Sequence, residues 1–199
     1  MIRAKYILDR IFAVLLLILL SPTMIVISLL IKLHDGQTVF FRQKRPGLHG
    51  KEFTIWKFRT MVPDADRLLD KKGRVQDANR ITPIGKFLRT WGIDEIPQVF
   101  NIINGEMSFV GPRPGLCEQV KRFSKSDKKR FEMKPGITGL SQIKGRHTLK
   151  WSQRIEYDIQ YIENYSLWID LKIIFKTFAV VLKRKNVILD RSPELYDDI

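Results

Sequence analysis

The chain has 199 residues, with 35 Lys and Arg against 21 Asp and Glu, and a net charge of +14. That length supports one domain with a real core, or one domain plus a membrane element. The charge asks for an anionic partner: nucleic acid, anionic lipid or a phosphorylated substrate. Cys117, the single cysteine, excludes an intrachain disulfide, and His34, His49 and His147 have no second ligand at metal-binding spacing, which argues against a zinc site.

Residues 11–31 are apolar except for Ser21, Pro22, Thr23 and Ser28. A helix of that length reaches about 30 Å, enough to cross a bilayer core. No small-residue cleavage site follows, so a secretory signal peptide is a poor match. Pro22 sits at the midpoint, where it removes an N–H and clashes with the carbonyl of Ile18, predicting a kink or a break. Ser21 beside it can satisfy a freed carbonyl one turn back. Basic residues flank both ends, Arg3, Lys5 and Arg10 before and Lys32, Arg42, Lys44 and Arg45 after, so both ends qualify as cytoplasmic. A re-entrant helix-break-helix hairpin over residues 1–35 resolves that conflict; a Pro-kinked crossing helix is the alternative.

From residue 36 the chain turns soluble, and residues 36–185 form the candidate catalytic domain. Val39-Phe40-Phe41 and Phe53-Thr54-Ile55-Trp56 read as short strands around a turn-rich segment, residues 45–50. In Lys57-Phe58-Arg59-Thr60-Met61, strand alternation aims Lys57, Arg59 and Met61 to one face and Phe58 to the other. Two cations on one strand face are expected to be solvated. Residues 63–79 are polar and read as an excursion containing a short helix. Residues 84–91 predict an amphipathic helix with Ile84, Phe87, Leu88 and Trp91 on one face, ended by Gly92.

Asp94 and Glu95 follow, adjacent carboxylates in a strongly basic protein. Asp94 could cap a second helix whose first turn is Glu95, Ile96 and Pro97, and a phosphate brought there would meet unpaired N–H groups. The bland alternative is an N-cap beside a favourable first-turn charge. In Val110-Gly111-Pro112-Arg113-Pro114-Gly115, two prolines hold one arginine in a stiff extended loop. Such stiffness is useful if the guanidinium must meet a phosphate or carboxylate in a fixed fork; a rigid turn with a solvated arginine is the other reading.

Residues 123–133 are helix-like and carry Lys125, Lys128, Lys129 and Arg130, which predicts a solvated or headgroup-facing surface. A second turn-rich cationic region spans residues 134–146. Tyr157–Tyr161 opens a further helix, with Asp158 among aromatics. Residues 171–185 predict a strong helix with Ile174, Phe175, Phe178, Val181 and Leu182 on one side and lysines towards the other. It fits either a membrane interface or a core helix with a solvated back. Residues 186–199 form a polar tail.

Taken in this order, the segments resemble the small monotopic phosphoglycosyl transferases of bacteria, the initiating sugar transferases of polysaccharide and protein glycosylation. The resemblance rests on the Ser21-Pro22 pair, Phe41-Arg42-Gln43-Lys44-Arg45-Pro46-Gly47, Lys57-Phe58-Arg59-Thr60-Met61 and Asp94-Glu95. It continues through Met107-Ser108-Phe109-Val110-Gly111-Pro112-Arg113-Pro114, Lys134-Pro135-Gly136-Ile137-Thr138-Gly139-Leu140 and the basic helix before Asn186. It covers nearly the whole chain; Lys134 stands where the family often has Arg.

The resemblance implies an α+β fold: a re-entrant hairpin broken at Ser21-Pro22, then a mostly helical cytoplasmic domain with short strands and interfacial amphipathic helices. It implies a monotopic protein on the cytoplasmic face of the bacterial inner membrane, in contact with its lipids. The implied reaction moves a sugar phosphate from a UDP-sugar to polyprenyl (undecaprenyl) phosphate, releasing UMP, as the first membrane step of glycoconjugate assembly. Asp94 would be the nucleophile of a phosphosugar-aspartyl intermediate, a competent role for a carboxylate once the phosphate charge is neutralised. Glu95 would hold Mg²⁺. Lys57, Arg89, Arg113 and Arg146 match positions that bind phosphates or uridine, and Asp158 matches another polar site position. Monomer and homodimer stay open, as does the sugar. A non-enzymatic basic module would explain the charge but not the Asp-Glu pair, and no nucleic-acid-binding motif is present, so no nucleic-acid partner is expected. A single ternary complex with both carboxylates on the metal is the rival mechanism.

Overall fold

The computed structural model describes residues 2–63, 65, 80–145 and 148–182. The expected helix within residues 63–79, Arg146, Lys183, Arg184, Lys185 and the tail 186–199 lie wholly or almost wholly outside the described residues.

Helix α1, Ile2–Asp35, is the longest element, about 50 Å at 1.5 Å per residue. The helix continues through Ser21 and Pro22, so of the kink or break that the sequence predicts there the break does not occur. The local chemistry explains the continuity. Pro22 has no N–H to give to Ile18, and Ser21 Oγ donates to the Ile18 carbonyl instead, at 2.9 Å. One face of α1, through Lys5, Asp9, Ala13, Met24, Ile27 and Ile31, is buried against the rest of the chain. The opposite face is apolar and exposed, with Ile11, Leu15, Ile18, Leu19, Ile25 and Leu33 among its residues. By length and composition α1 is able to cross a membrane, yet both of its ends are tied to the same domain. Near the start, Lys5 Nζ donates to Asp170 Oδ2 at 2.6 Å. At the end, the Asp35 carboxylate takes both terminal nitrogens of Arg59, at 2.7 and 2.5 Å.

Strands β1, Phe40–Pro46, and β2, Glu52–Phe58, pair antiparallel, with Phe40 opposite Phe58 and Arg42 opposite Trp56. The predicted alternation holds: Phe58 is buried, while Lys57 and Arg59 point the other way. Their expected solvation does not hold, because Glu95 and Asp35 take the two cations. Helix α2, Pro83–Trp91, is capped by the Thr82 hydroxyl, which accepts from Gly85 N at 2.9 Å, and ends at Gly92 with φ +68. A 3₁₀ segment, Ile93–Gln98, leads into α3, Val99–Ile103. Asn101, fully buried, accepts from Trp56 N and donates to Thr54 O, pinning α3 to the free edge of β2.

Strand β3, Ser108–Val110, pairs parallel with β4, Gly136–Thr138. Between them lie the short α4, Cys117–Val120, and a 3₁₀ turn, Asp127–Glu132. After β4 come α5, Leu140–Lys144, α6, Trp151–Glu163, and α7, Leu167–Leu182. The fold is therefore α+β with few strands. The predicted basic surface over residues 123–133 needs one correction. Lys125, Lys128 and Lys129 face outward or nearly so, but Arg130 is 2% exposed.

The core lies along α1. Ala13 packs with Phe53, Ile55, Val99, Ile102 and Met107, and Met24, Ile27 and Ile31 pack with Phe58 and Leu88. Ile93 and Ile96 rest on the second group, so the segment carrying the carboxylate pair sits directly on the second half of α1. At the other end, Tyr161 Oη and Lys5 share the Asp170 carboxylate, and Ser108 Oγ donates to Asp9 at 2.6 Å. Helix α7 buries Asp170 and Ile173 and leaves Trp168, Leu171, Phe175, Phe178 and Leu182 exposed. Of the apolar side expected for this helix, Ile174 and Val181 are half-buried and Phe175, Phe178 and Leu182 face outward.

Candidate active site

Asp94 and Glu95 lie in the first turn of the 3₁₀ segment, not at a cap: Gly92 holds the cap position, and no side chain caps the segment. Pro97 explains the tight turns. It has no N–H to give to the carbonyl four residues back, so regular α geometry begins only at Val99. Asp94 is consequently held in a tight backbone turn, and its side chain does not serve as the cap.

Three of the predicted cations converge here. Lys57 Nζ donates to Glu95 Oε1 at 2.6 Å, and Arg113 Nη2 donates to the same oxygen at 2.7 Å. Arg113 Nη1 reaches Glu95 Oε2 at 3.4 Å. Arg89 is fixed by Nε donating to Thr60 Oγ1 at 2.8 Å, and its charge acts on Asp94. Burial alone would raise the Glu95 carboxyl, but Arg113 and Lys57 hold it well below the usual carboxylate range. Asp94 goes the other way. Burial and the Glu95 charge push it up to about 6, against the pull of Lys57, Arg89 and Arg113. The two neighbours are thus driven apart, a pattern found where carboxylates have different tasks. Above about pH 6 Asp94 is therefore an ionised carboxylate in the field of three cations, Lys57, Arg89 and Arg113.

The loop carrying Arg113 is mounted on β4. Gly111 N donates to Thr138 O at 2.9 Å and Gly136 N to Pro112 O at 3.0 Å. A Cβ on Gly136 would stand 2.1 Å from Gly111 N, so only glycine allows the two backbones to come this close. The stiff loop predicted from its prolines therefore aims its guanidinium at a carboxylate.

Asp158 is placed elsewhere. It is 1% exposed, accepts from Ser141 Oγ at 2.9 Å and pairs with Arg130. Burial pushes its carboxyl up, and Arg130 and Ser141 pull it back. The structure therefore does not bring Asp158 to the dyad; it reaches the site only through Arg130. Arg146 lies outside the described residues. Arg130 is the residue that sequence reasoning missed. In the sequence it is one of four basic residues within positions 125–130, with nothing local to set it apart.

For Mg²⁺, the donor set on offer is the Asp94–Glu95 pair. No group of three His, Cys, Asp or Glu side chains able to hold a metal occurs among the described residues. Mg²⁺ commonly takes one or two carboxylates and fills its shell with water and substrate phosphate, so Asp94 and Glu95 are the residues that would hold it.

Residues 2–184 match the family model of bacterial sugar transferases. The chain is 39% identical over 183 residues to the uncharacterized sugar transferase EpsL of Bacillus subtilis, covering 92% of this chain and 89% of that protein. It is 44% identical over 181 residues to the UDP-glucose:undecaprenyl-phosphate glucose-1-phosphate transferase of Klebsiella pneumoniae, covering 85% of this chain and 38% of the relative. Over 190 residues it is 35% identical to the undecaprenyl-phosphate galactose phosphotransferase of Salmonella typhimurium, covering 88% of this chain and 40% of that protein.

Proposed function

Because the chain belongs to the bacterial sugar transferases, the family of initiating phosphoglycosyl transferases, we propose that it moves a sugar phosphate from a UDP-sugar to undecaprenyl phosphate and releases UMP. The relatives named for glucose-1-phosphate and galactose phosphate transfer support the substrate classes. The observation that carries the reading is the convergence of Lys57 and Arg113 on Glu95, with Arg89 close to the adjacent Asp94.

In this reading an Asp94 oxygen attacks the phosphorus that bears the sugar. A P–O bond to Asp94 forms, the bond to the bridging oxygen breaks, and UMP leaves with the electron pair. An oxygen of the lipid phosphate then attacks the same phosphorus, forming the lipid diphosphate sugar and returning the Asp94 carboxylate. Lys57, Arg89 and Arg113 counter the charge of the transferring phosphate, the largest electrostatic demand of such a reaction. Lys57 and Arg113 already pair with Glu95, so a diphosphate exchanges one anionic partner for another. Glu95, with Asp94 beside it, is the residue that would hold Mg²⁺. When bound, the ion would neutralise the diphosphate and ease departure of UMP.

The lipid partner suits the outer faces. The exposed apolar side of α1, Phe87 on α2 and the row Trp168, Leu171, Phe175 and Phe178 on α7 supply apolar surface, with Lys172 and Lys176 alongside for headgroups. With Lys5 and Asp35 both held by the one domain, α1 is read as re-entrant, the protein as monotopic and the domain as cytoplasmic.

The test combines two assays. UMP release is measured against a panel of UDP-sugars with undecaprenyl phosphate and Mg²⁺. The protein is then incubated with a labelled UDP-sugar but no lipid and analysed by mass spectrometry for a phosphosugar on Asp94. Turnover with sequential kinetics and no adduct would replace the covalent route with a ternary complex. A non-enzymatic basic module would release no UMP from any donor.

A further inference from the structure

Pro112 and Pro114 bring no N–H groups, so the arginine loop can be held largely through its carbonyls. Gly136 N takes the carbonyl of Pro112 at 3.0 Å. The carbonyl of Arg113 itself is taken by a side chain: Arg130 Nη2 donates to it at 2.7 Å. The same nitrogen also donates to Asp158 Oδ2. One donor atom therefore fixes the main chain of Arg113 relative to α6, and Asp158 is in turn fixed by Ser141.

We propose that Arg130 is a positioning residue for the transfer reaction, setting where the Arg113 guanidinium stands over the carboxylate pair. The proposal rests on the reading that Arg113 serves the diphosphate. The surroundings suit a positioning device. The Arg130 guanidinium lies 5.5 Å from the ring centre of Phe123 and 5.3 Å from that of Trp151. Among the described residues its Nε and Nη1 meet no hydrogen-bond partner, and those two rings are its cation–π partners. Such an arrangement is expensive as stability alone, since a buried ion pair can often be replaced by apolar residues of similar volume without loss. What an apolar replacement could not do is hold the Arg113 carbonyl. A slip of the loop moves the guanidinium with it, and misplacements near 1 Å can cost on the order of a hundredfold in rate.

A double-mutant cycle tests this. Arg130→Met fills the slot between the rings without donors, and it is made in the wild-type and the Arg113→Ala backgrounds. UMP release is read as kcat/KM, with thermal stability measured in parallel. We expect Arg130→Met to lower kcat/KM at least tenfold in the wild type and less than twofold in Arg113→Ala, while its effect on Tm is the same in both. Equal fold-losses in the two backgrounds would overturn the proposal and leave Arg130 a general support of the fold. Should the methionine variant not fold, Arg130→Lys enters the same cycle, since an ammonium can pair with Asp158 but lacks the planar fork. A wild type that releases no UMP from any UDP-sugar would refute the reaction itself; an active wild type with additive losses would refute the positioning alone.

Discussion

Asp94→Asn separates chemistry from architecture, because the structure assigns opposite signs to its two effects. The folded protein holds the Asp94 carboxyl at about 6 against an ordinary value of 3.8. A carboxyl raised by that much costs up to about 3 kcal/mol of stability when it is ionised, since each pKa unit corresponds to about 1.4 kcal/mol. The sign follows from proton binding. Between the unfolded and the folded value the native state holds the extra proton, so ionisation of Asp94 costs nothing below pH 3.8 and its full amount above about 6. Asparagine never ionises and keeps the shape. At pH 8 the variant should therefore be the more stable protein, its Tm raised by up to about 6–12 °C at the 2–4 °C per kcal/mol typical of this chain length. Near pH 4 the gain should shrink to below about 1 kcal/mol. Turnover should fall by several orders of magnitude, as no other group can form the covalent bond. In the wild type, activity should rise as pH passes through about 6 and Asp94 loses its proton. The assays are thermal melts in detergent at the two pH values and UMP release over pH 5–9, with mass spectrometry to rule out deamidation back to Asp. An active variant would refute the nucleophile, and a variant less stable at pH 8 would refute the electrostatic account of the site.

Glu95→Gln should keep the adduct possible and slow the reaction, with part of the rate recovered by raising Mg²⁺. It also removes the neighbouring charge that pushes Asp94 up, so the acid limb of the pH profile should move to lower pH; a limb that moves up would contradict the arrangement. Because Lys5 is paired with Asp170 in the domain interior, a cysteine at Arg3 in a Cys117→Ser background should resist an impermeant maleimide added outside intact cells. Efficient external labelling would establish a crossing helix.

The local elements were legible because their causes are local. The spacing of Ile84, Leu88 and Trp91 with Gly92 behind them is enough for α2 and its end, and alternation is enough to turn Phe58 away from Lys57. The cations that converge on the carboxylate pair stand out because prolines frame Arg113 and aromatic residues frame Lys57. What could not be read is which charges are buried. Arg130 stands in a run of basic residues that all look solvated, and its acid, Asp158, is 28 residues further on. The same holds for Asp94 as a cap: the missing N–H of Pro97 tightens the segment, and the cap falls to Gly92.

The pairing of Lys5 with Asp170 spans 165 residues, and that separation has a consequence in time. At roughly 5–20 residues per second, the ribosome delivers Asp170 on the order of 10–30 s after Lys5. Until Asp170 is made, Asp9, 3.6 Å away, is the carboxylate of this network that is present to offset the ammonium; Ser108 and Tyr161 join the chain earlier than Asp170 but bring no charge. The pairing that seats the first turns of α1 can therefore be completed only when α7 arrives. A polypeptide cut short before Leu167 keeps its apolar helix but leaves a buried cation without its carboxylate. Helices α1 and α7 thus depend on each other for the neutrality of their shared interior.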